Sequence, residues 1–458
     1  MSNYGLLELA GGKKAYYFMD TGKVFVSSDQ MDNKNLNEME LVGEKIDRKE
    51  RVGGDHEYFA LNFMSARTCN MGCKYCFAGE GEYEENPDKE KIMKVDTYLK
   101  AFDWVMNVNG KNISNISFFG GEPMLGFSQF KIAIEELERK CIIEKRPFPR
   151  ISISTNAVLF NEEIFDFIKK YNIKVGLSVD GPKYINDFGR TSKKNSQNKK
   201  SAFDYTAAAA QKLREHNMFY TIQCTLNGEH IRNYKPGIVR KWIIDMGDLA
   251  KCDMVYVPVT TDLADLKITD YEILQSIANE LVDFYIDELL KDESPYSSSL
   301  INGTFLGLLY KTYFQSCSGG DGFYLVDTDG DIFPCHIFCN DNDYKMGNIY
   351  TDKVIDENLE KEFLKNNRSH CIDCQSCIAK NVCKVWCNGL QKLYNGAEDK
   401  ILIERCIFEK AVVEHGLRRI IEYKIYDKKR YDLLIRHMLD KNEEYIMRKT
   451  DGTRIGIN

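Results

Sequence analysis

Short apolar runs recur along the first two thirds of the chain, separated by stretches of helical period. They are Leu61 to Met64, Ile116 to Phe119, Ile151 to Ile153, Val175 to Val179, Phe219 to Thr225 and Met254 to Val259. Each is rich in branched or aromatic residues and ends at polar or turn residues, which predicts buried strands. Between them Phe130, Ile134, Leu137 and Cys141 recur at steps of three and four, as do Ile273, Ile277, Leu281 and Phe284. That spacing puts each set on one helix face. Strand and helix alternating in this way predict a parallel sheet with right-handed crossovers. Six such units suit an open, partial (β/α)6 barrel of the α/β class better than a closed eight-fold one.

Beyond residue 300 the periodicity fades into cysteine pairs, glycines and short apolar pieces, so a boundary is expected near residues 290–315. Before the first strand, Lys14 to Phe18 and Val24 to Val26 flank Asp20-Thr21-Gly22, the pattern of a hairpin. The resulting division is 1–57 as a short β-containing segment, 58–300 as the barrel, 301–420 as a cysteine-rich domain, and 421–458 as a tail. From Arg418 to about Arg448 the tail reads as charged amphipathic helix docked on the body.

Hydrophobic residues at 43%, charged residues at 29% and only 9 prolines describe a chain folded throughout. A formal charge of −7 gives no general attraction to nucleic acid or to an anionic membrane. The basic run from Lys193 to Lys200 reads as a solvated loop. No stretch approaches the roughly 18 apolar residues of a membrane span, and the N-terminal residues lack a signal peptide's order, so the expected compartment is the cytoplasm.

Against that background 15 cysteines need an explanation, because a reducing cytoplasm does not favour a disulfide framework. Nine fall between Cys317 and Cys406 and three between Cys69 and Cys76, which is ligand spacing. Cys141, Cys224 and Cys252 stand singly in apolar patterns and read as small core hydrophobes. Cys69, Cys73 and Cys76 form C-x3-C-x2-C directly after the first barrel strand. Three thiolates on one loop can hold three irons of a cubane cluster and leave the fourth iron open. A structural zinc site would need a fourth ligand close by, which the sequence does not supply.

This loop, with Tyr75 before its third cysteine, resembles the signature of the radical S-adenosylmethionine superfamily. Gly120-Gly121-Glu122-Pro123 after the second strand is similar to the family's GGEP motif. The resemblance implies that Gly120 and Gly121 let backbone approach the methionine moiety and that Glu122 meets its ammonium. It also implies that Ser154 and Asn156 after the third strand, and Ser178 and Asp180 after the fourth, face the ribose and carboxylate. Arg190 resembles an arginine that pairs with the methionine carboxylate. The implied chemistry is reductive cleavage of S-adenosylmethionine to methionine and a 5′-deoxyadenosyl radical, which takes a hydrogen atom from the substrate.

Cys317, Cys335, Cys374, Cys377, Cys383, Cys387 and Cys406 resemble the seven-cysteine SPASM domain, which houses two auxiliary 4Fe–4S clusters. The resemblance implies three clusters in all. Cys374, Cys377, Cys383 and Cys406 would hold the outer auxiliary cluster, and Cys317, Cys335 and Cys387 the inner one. Cys339 and Cys371 depart from the pattern; either would complete the inner cluster, be a spare thiol or serve the substrate. A pair of zinc ribbons is the alternative reading of C-x2-C spacing.

SPASM proteins act mainly on peptides and proteins. Sulfatase maturases typically carry Asp after the cysteine of Pro-Cys-Asp, whereas here Pro334-Cys335 is followed by His336. Pro-Cys-His, with Asp343 to Ile349 downstream, resembles the ranthipeptide and sactipeptide maturases that form thioether bonds in ribosomally made peptides. That resemblance implies a cysteine-containing precursor peptide as substrate and an external electron donor such as flavodoxin or ferredoxin. Such enzymes often carry an N-terminal leader-binding winged helix, of which only a hairpin-like part is expected within residues 1–57. Two other readings stand beside this one: formylglycine formation on a protein Cys or Ser, and a non-catalytic iron–sulfur electron carrier.

Overall fold

The computed structural model describes residues 4–40, 42–48, 58–83, 89–108, 110–193, 201–314, 317–351, 354–365 and 368–450. Lys194 to Lys200 of the basic run lie outside the described residues, as do positions 49–57 and 451–458 of the two terminal segments.

The N-terminal segment is a three-stranded antiparallel sheet, β1 (Tyr4–Glu8), β2 (Lys14–Phe18) and β3 (Lys23–Ser27), followed by α1 (Asn33–Glu40). The expected hairpin is β2–β3. β1 escaped the sequence reading because Tyr4-Gly5-Leu6-Leu7-Glu8 does not alternate cleanly. This sheet is buried on both faces. Leu7, Ala15 and Tyr17 share a core with Leu308, Ile378, Val413 and Leu417 of the C-terminal half, while Tyr16 and Phe18 pack with Leu36 of α1. Too small to be stable alone, the segment gains its apolar burial from residues more than 290 positions away in the sequence.

The barrel alternates β4 (Tyr58–Ala66), α2 (Val95–Asp103), β5 (Asn112–Gly120), α3 (Phe127–Glu144), β6 (Arg150–Thr155), α4 (Glu162–Lys170) and β7 (Lys174–Ser178). It continues with α5 (Lys183–Gly189), α6 (Ala202–Glu215), β8 (Tyr220–Leu226), α7 (Gly228–Arg232), α8 (Ile238–Asp245) and β9 (Asp253–Pro258). β4 to β9 pair in parallel and in chain order. All six expected strands are present, and Phe130, Ile134, Leu137 and Cys141 form the buried face of α3. Cys224 is likewise buried, and Cys252 half-buried. Residues facing the helices are Ile, Leu, Val or Phe, whereas the other face presents Ser117, Ser152, Ser154, Gly176, Ser178 and Gln223 with partial or full exposure. Small polar residues on the concave side leave the lumen open, whereas large branched ones would fill it.

α9 (Tyr271–Leu289) and α10 (Ser299–Tyr310) lead into β10 (Phe323–Val326), β11 (Asp331–Phe333) and β12 (Gly347–Asn348). β10 runs parallel to β4 and extends the barrel sheet to nine strands, so the sheet crosses the boundary expected near residue 300. Next come α11 (Glu357–Lys365), α12 (Ile372–Gln375), α13 (Asn388–Asn395), α14 (Ile403–Tyr426) and α15 (Lys428–Thr450). α14 passes through residue 420 without a break and packs on α9, so the expected tail begins inside this helix.

Where the two halves meet, Arg67 just after β4 donates from NH1 to Asp327 Oδ2 at 2.6 Å, and Lys89 Nζ reaches the same oxygen at 2.7 Å. Arg67 is 2% and Asp327 0% exposed. Lys89 also reaches Asp331, and Arg67 bonds Asn340. Losing one partner of a buried pair strands the other's charge, at about 3–5 kcal/mol. Arg67→Ala and Asp327→Ala are each expected to lower the unfolding free energy by about that amount, read by denaturant titration of the metal-free protein. The double variant should cost less than the sum of the two.

Candidate active site

β4 delivers its chain into the loop that carries Cys69, Cys73 and Cys76. The loop is pinned by backbone bonds from Gly72 N to Thr191 O at 2.8 Å and from Lys74 N to Gly189 O at 2.9 Å. Burial pushes the Cys69 thiol up to about 12, with Glu122 and the other two thiols adding to it. Cys73 rises to about 11, mostly from burial, against the pull of Arg190. A thiol so raised ionises only beside a strong local cation, and a bound metal is one.

β5 ends at Gly120, and its last turn is pressed against this loop. A Cβ on Gly120 would lie 2.2 Å from Ala66 O, and one on Gly121 would lie 2.3 Å from Thr68 O and 2.5 Å from Gly81 O. Their missing side chains admit the protein's own backbone at this close approach. Glu122 follows, 1% exposed. Its Oε1 accepts from Thr155 Oγ1 at 2.6 Å and Met124 N at 3.1 Å, and its Oε2 accepts from Asn156 N at 2.9 Å. Burial outweighs these bonds and pushes the carboxyl up to about 7. Among the described residues no Lys or Arg pairs with it. A buried carboxylate held in position without a cation fits an incoming ammonium.

Asn156 donates from Nδ2 to Asn70 Oδ1 at 2.8 Å, tying the β6 end to the cluster loop. Ser154 is exposed and Ser178 half-buried, both on the open side of the sheet. Asp180 is 0% exposed, and its carboxylate accepts from the Tyr75 hydroxyl, from Arg190 Nε at 3.1 Å and from Thr225 N at 3.2 Å. It thereby positions Tyr75 and Arg190. His230 Nε2 donates to the Asp180 carbonyl at 2.7 Å and closes this knot. Arg190 also lies over the Tyr75 ring, 5.6 Å from its centroid, and has only Nε committed to Asp180.

In the C-terminal half, burial pushes the Cys335 thiol well up, and Cys387 and Cys317 raise it further, so these three are mutual neighbours. Cys374, Cys377, Cys383 and Cys406 line one cavity with Arg405, Gln391 and Glu409, and Cys387 of the inner trio also lines it. Buried Arg405 Nε, Gln391 Oε1 and Glu409 Oε2 have no hydrogen-bond partner. A cavity lined by five thiols and unpaired polar atoms fits a bound inorganic group. Neither extra cysteine joins the inner trio. Cys339 sits on the Arg67–Asp327 pair, pushed up to about 12 by burial and then by Asp327. Cys371 lies beside Cys374, on the outer side.

The sequence reading missed Thr155 and Asn70, which act only through contacts across strands. It also left His336 unassigned. That ring stacks on Phe119 at 3.9 Å between centroids and lies 5.6 Å from Phe77, so it bridges the β5 end and the cluster loop. Its place directly after Cys335 was the available signal.

Residues 64–233 match the family model described as the Radical SAM superfamily. The chain is 26% identical over 363 residues to a cysteine-type anaerobic sulfatase-maturating enzyme of Clostridium novyi, covering 76% of this chain and 93% of the relative. It is also 26% identical to the radical SAM cyclopropyl synthase TigE of Paramaledivibacter caminithermalis, covering 74% and 70%. Among solved structures, anSMEcpe with bound AdoMet and Cp18Cys peptide aligns with a TM-score of 0.64 at 22% identity, over 80% of this chain and 98% of that one. Streptococcus suis SuiB bound to S-adenosylmethionine aligns with a TM-score of 0.51 at 18% identity, over 76% and 77%. The fold is the radical SAM α/β fold, and residues 64–233 carry a radical SAM domain in a chain homologous to the anaerobic sulfatase-maturating enzymes.

Proposed function

We propose that this enzyme matures a cysteine-containing peptide, joining a cysteine sulfur to a carbon of another residue. In this reading Cys69, Cys73 and Cys76 hold the catalytic 4Fe–4S cluster, and two further clusters sit on the inner trio and the outer quartet. With S-adenosylmethionine bound, the catalytic cluster would supply a 5′-deoxyadenosyl radical to take a hydrogen atom from the peptide. Glu122 receives the ammonium of S-adenosylmethionine. Arg190, braced on Asp180, turns its terminal nitrogens to the carboxylate. Ser154, Asn156 and Ser178 offer hydroxyl and amide groups to the ribose from the open side of the sheet. The lumen holds the substrate away from water.

The observation that carries thioether formation is the inner trio. Cys317, Cys335 and Cys387 lie together while Cys339 and Cys371 lie elsewhere, so a cluster there keeps one ligand position for a thiolate from outside the chain. His336 in place of the aspartate typical of sulfatase maturases supports the same reading. Formylglycine formation is the second reading, favoured by the sulfatase-maturating relatives, which cover most of the chain. The electron donor in either case is an external flavodoxin or ferredoxin.

Product mass separates the two readings. Reconstituted enzyme with dithionite, S-adenosylmethionine and a cysteine-rich peptide should give a product lacking a pair of hydrogen atoms and one free thiol. Replacement of sulfur by a carbonyl oxygen in the peptide would instead favour formylglycine. Replacing Cys69, Cys73 and Cys76 together with Ala should abolish 5′-deoxyadenosine release while auxiliary iron remains; release at the wild-type rate would remove the assignment of that loop.

Glu122 gives a binding prediction with a definite sign. Its carboxyl, held up to about 7, must ionise to meet an ammonium. Affinity for S-adenosylmethionine should therefore strengthen as pH rises through about 7 and level off above it. A charge-assisted contact is worth ~1.5–3 kcal/mol, so Glu122→Gln should weaken binding roughly ten- to a hundred-fold and flatten the pH dependence. Isothermal titration across this range checks both.

A further inference from the structure

The outer site has more thiols than a four-iron cluster needs. Cys371, Cys374 and Cys377 stand three apart, C-x2-C-x2-C, itself a spacing used to bind iron–sulfur clusters. The backbone repeats one turn along this run: Cys374 N donates to Cys371 O at 3.1 Å, and Cys377 N donates to Cys374 O at 3.2 Å. Cys371 thus stands to Cys374 as Cys374 stands to Cys377. It is also the N-cap of α12, with Cys374 at the third helical position. The two thiols are neighbours, and Cys371 also lies near Cys406. Cys371 is 2% exposed, and its thiol reaches the Asp399 carbonyl at 3.3 Å. Cys374 itself lines the cavity of the outer thiols.

We infer that Cys371 is a reserve ligand of the outer cluster, able to take the iron that Cys374 otherwise holds. The inference rests on the reading that Cys374, Cys377, Cys383 and Cys406 hold a cluster. The exchange is balanced within the pair: the iron–sulfur bond to Cys374 breaks, one to Cys371 forms, and the proton of the Cys371 thiol passes to the Cys374 sulfur. Net charge and oxidation state are unchanged, so no outside reagent is required. A buried spare thiol with only a packing role would have no reason to repeat the ligand turn or to touch the ligand's sulfur.

The test uses full-length protein with Cys69, Cys73 and Cys76 replaced by Ala, so that only auxiliary clusters form, reconstituted anaerobically with iron and sulfide. Iron and sulfide per chain and the electron paramagnetic resonance of the reduced protein are measured. Cys371→Ala and Cys374→Ala, each alone, should keep the parent's iron, with an altered spectrum in Cys374→Ala. The double variant should lose one cluster's worth. Loss of that cluster in Cys374→Ala alone would overturn the inference. Cys377→Ala, which has no reserve behind it, should lose the cluster outright. Full iron in that variant would overturn the outer cluster itself, a separate failure from that of the reserve ligand. Should Cys374→Ala fail to fold, by circular dichroism, Cys374→Ser with and without Cys371→Ala carries the same comparison.

Discussion

The buried pair of Arg67 and Asp327 fixes the geometry on which the placement of both cysteine groups depends. Arg67 lies two residues before Cys69, and Asp327 directly follows β10, whose hairpin with β11 leads to Cys335. Parallel pairing of β10 with β4 sets the register of these strands, and the ion pair locks their ends. The pair carries two further charges, Lys89 and Asp331, and a guanidinium–ring contact between Arg67 and Tyr83 at 5.1 Å. Burying so many charges is costly unless each is met by another. The reward is specificity of docking: a hairpin that slipped by one residue would bury Asp327 without Arg67. Such a penalty against misregister holds the two halves of the chain in one arrangement.

Two buried carboxylates, placed after β5 and β7 on either side of β6, show how one sheet sorts scaffold from binding group. Asp180 and Glu122 are both almost fully buried. Asp180 accepts from an arginine, a tyrosine and a backbone amide, so its charge is neutralised within the protein and it can only position other groups. Glu122 accepts from a threonine hydroxyl and two backbone amides, none of them charged, which fixes its orientation without cancelling its charge. The first arrangement is complete as folded. The second is completed by a cation, and it sits beside the thiol loop where one would be needed.

The barrel strands, the α3 face and the cysteine groupings were legible in the sequence, because periodicity and spacing are local properties. What escaped was set by contacts between distant segments. β1 lacks alternation and is a strand only because it is sandwiched against Ile378 and Val413. The continuity of the sheet past residue 300 depends on β10 pairing with β4, which no local pattern announces. The contacts of Asp180 with Arg190 and Tyr75, and the close backbone approach at Gly120 and Gly121, likewise join segments distant in sequence. Cys339 and Cys371 could be placed only once the chain brought Arg67 and Cys374 beside them.

Position 336 shows how one residue alters the chemistry of a shared scaffold. The imidazole lies between Phe119 and Phe77, next to Cys335, with its Nδ1 buried and without a hydrogen-bond partner. Burial alone pushes its value down to about 4, so near neutral pH it is an uncharged ring with a donor and an acceptor. A carboxylate in the same aromatic slot would bring a negative charge beside thiols that already repel one another, and would be pushed toward its protonated form. Histidine avoids that conflict and keeps hydrogen-bonding capacity where the cluster loop, the β5 end and the inner cysteines converge.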